Sequence, residues 1–258
     1  MDRKRWERSE LLRVLVLYCD IPFGQIHSRN PLIIKLSDEI GRTPSAVALK
    51  MVNFASLDPT ISQKGMSNVS ALDRSTWEMF FNDIDHFLTK DVENPELGCG
   101  FSDCPQTEFE LSSSKEATEH KSSTIFRRGQ DRFRRAVLAS YNGRCAISGV
   151  DDPRLLVASH IAPWAANVGR RLDPRNGICL NALLDRAFDA GVFTLSANYD
   201  IIFSKLATPR SVEIILESGR SFRKPDRFAP DLMLLHEHAV RFGFEAAGVA
   251  SGHQMKPG

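Results

Sequence analysis

Two stretches decide how this chain reads: Leu155-Leu156-Val157-Ala158-Ser159-His160-Ile161, and Arg175-Asn176-Gly177-Ile178-Cys179-Leu180 running on through Leu184-Asp185-Arg186-Ala187-Phe188-Asp189-Ala190-Gly191. The first is short, apolar and β-branched enough for a strand, and it ends on a histidine. Upstream, Arg144-Cys145-Ala146-Ile147-Ser148-Gly149 reads as a partner strand, with Asp151-Asp152-Pro153 as the turn between them, so a hairpin is expected. A polar loop from Asn167 to Arg175 follows, and then a helix from about Leu180 to Ala190, closed by Gly191. The order is strand, strand, loop, helix.

The helix carries a conflict. Asp185 and Asp189 stand at i and i+4, where like charges repel by roughly 0.2–0.5 kcal/mol. Read as lying in the last turns before Gly191, they also oppose the helix dipole by roughly 0.3–1 kcal/mol. A divalent cation relieves both. A solvated helix face either side of Leu184 and Phe188 is the plainer reading, and the spacing alone favours it. Hard oxygen ligands suit Mg²⁺ or Mn²⁺ better than zinc, and magnesium commonly takes one or two carboxylates together with water and substrate phosphate.

Outward from this unit, residues 121–135 hold Lys121, Arg127, Arg128, Arg132, Arg134 and Arg135 against Asp131 alone. Gly129 to Tyr141 makes a basic amphipathic helix, with Phe133, Ala136, Val137 and Leu138 on its apolar side and Asn142-Gly143 as its stop. Before it, residues 91–120 carry eight acids against Lys115 and the run Ser112-Ser113-Ser114, which reads as an acidic linker. The sign flip near residue 120 divides the chain into 1–90, 91–120 and 121–258, with 1–90 and 121–258 expected to fold separately.

Residues 1–90 read as mainly helical. Trp6 to Tyr18 has an apolar face. Leu32 to Ile40 ends at Gly41-Arg42, and Thr43-Pro44-Ser45 offers a cap and a first-turn proline to a third helix facing inward through Val47, Met51 and Phe54. Helix, tight turn, helix is the outline of a helix-turn-helix, whose exposed side would present Ser45, Lys50 and Asn53 to DNA; a helical hairpin that merely packs fits equally well. Trp77, Phe80, Phe81 and Phe87 read as core.

At 258 residues, with 33 Lys+Arg against 32 Asp+Glu, the chain is long enough for one large or two modest domains, and its net charge does not decide for or against a polyanion. The five cysteines are odd in number and scattered, which excludes a disulfide scaffold and fits a reducing cytoplasm. Leu11 to Cys19, broken by Arg13, is about half the ~20 residues of a membrane span, so no membrane association is expected. No cleavage pattern of a signal peptide follows it. No Gly-rich phosphate loop, Gly-x-Ser-x-Gly elbow or Cys/His nucleophile pair stands out.

Taken together, Tyr141 to Gly149, Ser159-His160-Ile161-Ala162-Pro163-Trp164 and Arg175 to Gly191 resemble the HNH nuclease family, in the branch of bacterial restriction-type endonucleases. The likeness runs from about Arg128 into the C-terminal tail. It includes the hairpin-like Val192-Phe193-Thr194-Leu195 with Ile201-Ile202-Phe203-Ser204, and the closing Pro230-Asp231 with Leu235-His236-Glu237-His238. The implied fold is α+β: a mainly helical N-terminal domain followed by a C-terminal ββα-metal nuclease domain.

The resemblance implies that His160 takes a proton from the attacking water and that Asn176 holds and orients it. Asp185 stands where the third histidine of the family motif commonly stands, and Asp189 where some members carry a further ligand; Ser159 occupies a position that many relatives fill with a metal-binding Asp or His. It further implies a metal-dependent DNA endonuclease of the restriction or phage-defence type. In that reading Arg127, Arg128, Arg132, Arg135 and Arg144 meet phosphates, and a homodimer forms if both strands are cut. A DNA-binding regulator with an inactive nuclease fold is the alternative that Ser159 keeps open. Cys145 lacks a partner at +3, where Ser148 stands, and Cys179 is followed there by Ala182, so no zinc ribbon can be assembled.

Overall fold

A computed structural model of the chain describes residues 5–61, 69–84, 87, 117–164 and 168–244, with the backbone alone for 117–128 and 168. Most of the stretch expected to be a linker, residues 91–116, lies outside the described residues.

The helical part is built as its caps dictate. Helix α1 spans Arg8–Asp20. Helix α2, Pro31–Ile40, starts under the Asn30 side chain, which accepts the Leu32 N–H, and stops at Gly41 in the left-handed region (φ 64°). Helix α3, Pro44–Ala55, begins at Thr43, whose hydroxyl accepts the Ala46 N–H. Val47, Met51 and Phe54 are buried as expected. Helix α4, Ala71–Asn82, adds Phe80 to the same core, with Trp77, Phe81 and Phe87 packed against it.

The basic helix is longer than expected. Helix α5 runs Ala117–Ser140, so it starts inside the stretch assigned to the linker, and it is terminated by Asn142 and Gly143, both at positive φ. Phe133, Ala136 and Val137 face inward. The core is continuous between the helical part and the rest. At the junction the buried Arg227 guanidinium donates to the Cys19 and Ile21 carbonyls and lies over the Tyr18 ring, and the Phe228 N–H donates to Asp58.

The expected hairpin is corrected. Strand β1, Leu156–His160, pairs antiparallel with β2, Gly177–Asn181, in a register that sets Ser159 opposite Ile178 and His160 opposite Gly177. Residues 144–149 form turns instead of a strand. The Cys145 sulfur accepts N–H groups from Ser148 (3.4 Å) and Asn181 (3.3 Å), Gly149 sits at φ 75°, and the Ala146 N–H reaches the Cys179 carbonyl at 2.7 Å. Two of this turn's hydrogen bonds are made with β2, and Arg223 adds two more to the Cys145 and Ala146 carbonyls. The run Ile178-Cys179-Leu180 is buried throughout, and a continuous apolar run of that length does not distinguish strand from helix. At Gly177 a Cβ would fall 2.4 Å from Val137 and 2.8 Å from Phe133, so only glycine lets β2 lie this close to α5.

Helix α6 is Ala182–Asp189, capped by Asn181, whose side chain accepts the Leu184 N–H. Because it starts at 182, Asp185 lies in the first turn, where the dipole favours an anion; only Asp189 lies at the unfavourable end. Strands β3 (Phe193–Leu195) and β4 (Ile201–Phe203) form the second hairpin where the resemblance implied one. Helices α7 (Pro209–Ser218) and α8 (Leu232–Arg241) complete the described chain. The architecture is α+β, and among the described residues no helix is long and apolar enough to cross a membrane.

Candidate active site

Strand β1, helix α6 and the end of α8 enclose a cleft of about 550 Å³, lined by Ser159, His160, Trp164, Asp185, Asp189 and Arg241 among others. The structure thus brings together the imidazole, the carboxylate pair and the serine expected from the sequence.

His160 is held on three sides. Its ring stacks on Phe133 (centroids 3.9 Å, 13° between planes) and meets Trp164 edge-on at 5.5 Å. Its Nε2 lies 3.0 Å from the Arg171 carbonyl oxygen, which can only accept, so Nε2 carries the proton and Nδ1 of the neutral ring is the acceptor. Among the described residues no hydrogen bond engages Nδ1. Burial lowers the His160 pKa, with the Arg171 carbonyl and the Asp189 charge opposing that shift in part. The neutral, proton-accepting form is therefore favoured at neutral pH.

Asn176 is buried at the entrance to β2, and its side chain bonds to the backbone around the imidazole, not to the ring. Its Oδ1 accepts the Ala162 N–H (2.9 Å), its Nδ2 donates to the Arg170 carbonyl (3.2 Å), and its own carbonyl takes the Ile161 N–H. It thereby ties the residues after His160 to the loop whose Arg171 carbonyl anchors the ring. Next to it, Arg175 pairs with the buried Asp173 and lies over the Phe81 ring of α4.

Asp185 is half-buried and Asp189 exposed. Burial raises the Asp185 pKa, the Asp189 charge raises it further, and the Ser159 hydroxyl pulls it back. Ser159 Oγ is buried without a hydrogen bond of ordinary length, although it lies near enough to Asp185 to influence it. A buried hydroxyl without a hydrogen-bond partner beside two mutually repelling carboxylates is a set of hard oxygens whose chemistry fits a magnesium-like ion. Among the described residues no three His, Cys, Asp or Glu side chains form a group able to hold a metal by themselves. Asp185 and Asp189 are the two carboxylates lining the cleft whose oxygens could hold such an ion.

The expected DNA contacts fare differently. Lys50 and Asn53 are not on an exposed side of α3: the Lys50 ammonium is 2.7 Å from both oxygens of the buried Asp73, and Asn53 is itself buried. The inward face of α3 is wider than Val47, Met51 and Phe54 implied. Arg135 pairs with Asp20 at 3.5 Å, and Arg134 donates to the Leu156 and Pro153 carbonyls, so both brace the fold. Arg132 is partly exposed and Arg144 is exposed, 3.7 Å from Asp151. The side chains of Arg127 and Arg128 lie outside the described residues.

Two cations in the cleft were missed by sequence reasoning, Arg186 and Arg241. Arg186 could have been found, since it stands between the two aspartates on a short helix. Arg241, 81 positions from His160, gave no local signal. His236 is exposed, whereas His238 is buried and its ring bridges Thr194 Oγ1 and the Phe188 carbonyl.

No curated protein matches the chain. Residues 145–196, which supply β1, β2, α6 and all the expected catalytic side chains of the cleft, match the family described as HNH endonuclease, and the chain carries a domain of that nuclease family.

Proposed function

We propose that this protein is a metal-dependent DNA endonuclease that hydrolyses phosphodiester bonds. The observation carrying the reading is the tautomer of His160: with Nε2 committed to the Arg171 carbonyl, Nδ1 is left to accept a proton inside a cleft that also holds Asp185 and Asp189. In this mechanism Nδ1 takes the proton of the attacking water, and Phe133 and Asn176 keep the ring and its anchoring loop from turning. Asp185 and Asp189 would hold a Mg²⁺ or Mn²⁺ ion. When bound, that ion supplies charge stabilisation at the scissile phosphate and at the departing oxygen. Arg186, exposed on the cleft rim, attracts the DNA backbone, aided by Arg132 and Arg144.

A restriction or phage-defence role in the cytoplasm, with the helical part guiding target choice, rests on the likeness of the C-terminal half to the restriction-type branch. A two-fold dimer is the form expected if both strands are cut.

The test is incubation of the purified chain with plasmid and Mg²⁺ or Mn²⁺, with and without chelator, beside His160→Ala. Cutting that chelator and His160→Ala both abolish is the expected result. Cutting that survives either one overturns the mechanism. Absence of cutting on modified and unmodified DNA alike favours a DNA-binding regulator.

A further inference from the structure

Outside the family-matched segment, helix α8 brings one charged side chain into the cleft. Arg241 lines it together with His160, Asp185 and Asp189, yet it comes from the far end of the chain. We propose that Arg241 is a second, separately supplied binding residue for the scissile phosphodiester, a guanidinium clamp facing the carboxylate pair. The inference rests on the nuclease reading and deepens it.

Three observations support it. First, the helix end that bears Arg241 is fastened to the site itself. His238, one turn earlier, bonds to the Phe188 carbonyl next to Asp189 and to Thr194, and the adjacent Phe242 sits on Gly191, where a Cβ would fall 2.2 Å from its ring. Second, Arg241 is exposed and only lightly engaged. Its Nη2 reaches the Ile161 carbonyl at 3.3 Å, just past His160, and its guanidinium lies over the Phe242 ring at 4.8 Å. One long bond uses little of a group with five donors. Third, Arg186 and Arg241 offset the charges of Asp185 and Asp189, so a divalent ion on the carboxylates leaves the cleft net positive. That charge fits the equatorial oxygens of a phosphodiester, which a planar guanidinium grips in two-pronged fashion.

A purely structural Arg241 would cap its own helix and steady Ile161. The experiment separates the two roles in the full-length protein. Arg241→Ala, Arg241→Lys and a remote control, Arg210→Ala, are compared in single-turnover cleavage at saturating DNA with Mn²⁺. Fluorescence anisotropy of a labelled duplex, with inorganic phosphate as competitor, is read in the non-cutting His160→Ala background with and without chelator.

The clamp predicts that Arg241→Ala lowers the saturated rate about 10²–10³-fold. It also predicts that Arg241→Lys recovers only part of this, that Mn²⁺-dependent affinity falls about tenfold, and that competition by phosphate is lost. Wild-type rate and affinity in Arg241→Ala overturn it, as does a change in KM alone. If Arg241→Ala misfolds, Arg241→Lys carries the test, because a cation that merely caps a helix is replaceable by lysine and full recovery overturns the clamp. If the wild type does not cut, the nuclease reading fails on that measurement, while Arg241 stands or falls on the Mn²⁺-dependent phosphate binding.

Discussion

His160 and His238 occupy two nearly matched settings. Each ring stacks on a phenylalanine with centroids 3.9 Å apart, Phe133 at 13° and Phe188 at 10°, and each places Nε2 against a backbone carbonyl, Arg171 at 3.0 Å and Phe188 at 3.1 Å. Both are therefore held as the same neutral tautomer. The difference is the other nitrogen. In His238, Nδ1 accepts from the Thr194 hydroxyl at 3.0 Å, so every polar atom of the ring is used inside the core. In His160 no described residue takes Nδ1, and the ring lines the cleft. A histidine bonded at both nitrogens has no acceptor left to offer, whereas one bonded at Nε2 alone keeps an acceptor nitrogen, which is what the proposed general base requires.

The sharpest way to break this contrast is to remove each ring. His160→Ala should lower cleavage at saturating DNA by about 10²–10⁴-fold, the usual worth of a general base, as read from plasmid conversion over time. Equal cleavage by the variant would end the distinction. Asn176→Ala comes next. Because it holds the Ala162 and Arg170 backbone on either side of the ring's anchor, it should slow cleavage by up to about 100-fold while metal affinity, followed by titration, changes little.

His238→Ala should act on stability. It leaves the Thr194 hydroxyl unpaired, removes one of the hydrogen bonds to the Phe188 carbonyl and opens a cavity, costing about 2–4 kcal/mol in urea unfolding.

The same ring gives a pH signature. Burial lowers the His238 pKa from 6.5 to about 4. The folded pKa lies below the unfolded one, so the unfolded chain takes up the proton first. The stabilisation is whole above about pH 6.5, drains as pH falls, and is gone below about 4, an effect of about 3 kcal/mol. Urea midpoints between pH 7 and 4 should show this acid slope in the wild type and a shallower one in His238→Phe. The smallest effect belongs to Arg144→Ala. The side chain is exposed, so unfolding should shift by under about 0.5 kcal/mol, while the salt dependence of DNA binding should lose about one phosphate contact.

Much of this was legible in the chain. Thr43 and Pro44 marked the start of α3, Gly41 the end of α2, and Asn142-Gly143 the end of α5, because caps and stops are local chemistry. That His160, Asp185 and Asp189 come to one cleft was legible through their order and residue types. Strand β2 was not, since an apolar run buried on both faces carries no period. The turn at Cys145 was hidden for a related reason: besides local bonds, it is tied to Cys179, Asn181 and Arg223, each more than thirty residues away. Lys50 and Asn53 misled because a polar residue on a helix says nothing about which neighbour meets it. Here that neighbour is Asp73 of α4 for Lys50.

The amino-acid order by itself determined the helical caps, the acidic-to-basic switch near residue 120 and the residue types of a nuclease motif, since each is set by neighbours within a few positions. Only the tertiary structure decided that β1 pairs with β2, that no described residue claims His160 Nδ1, and that Arg241 arrives in the cleft from α8. Those outcomes depend on which distant backbone carbonyl or ring comes to lie against a side chain, and that is settled by packing.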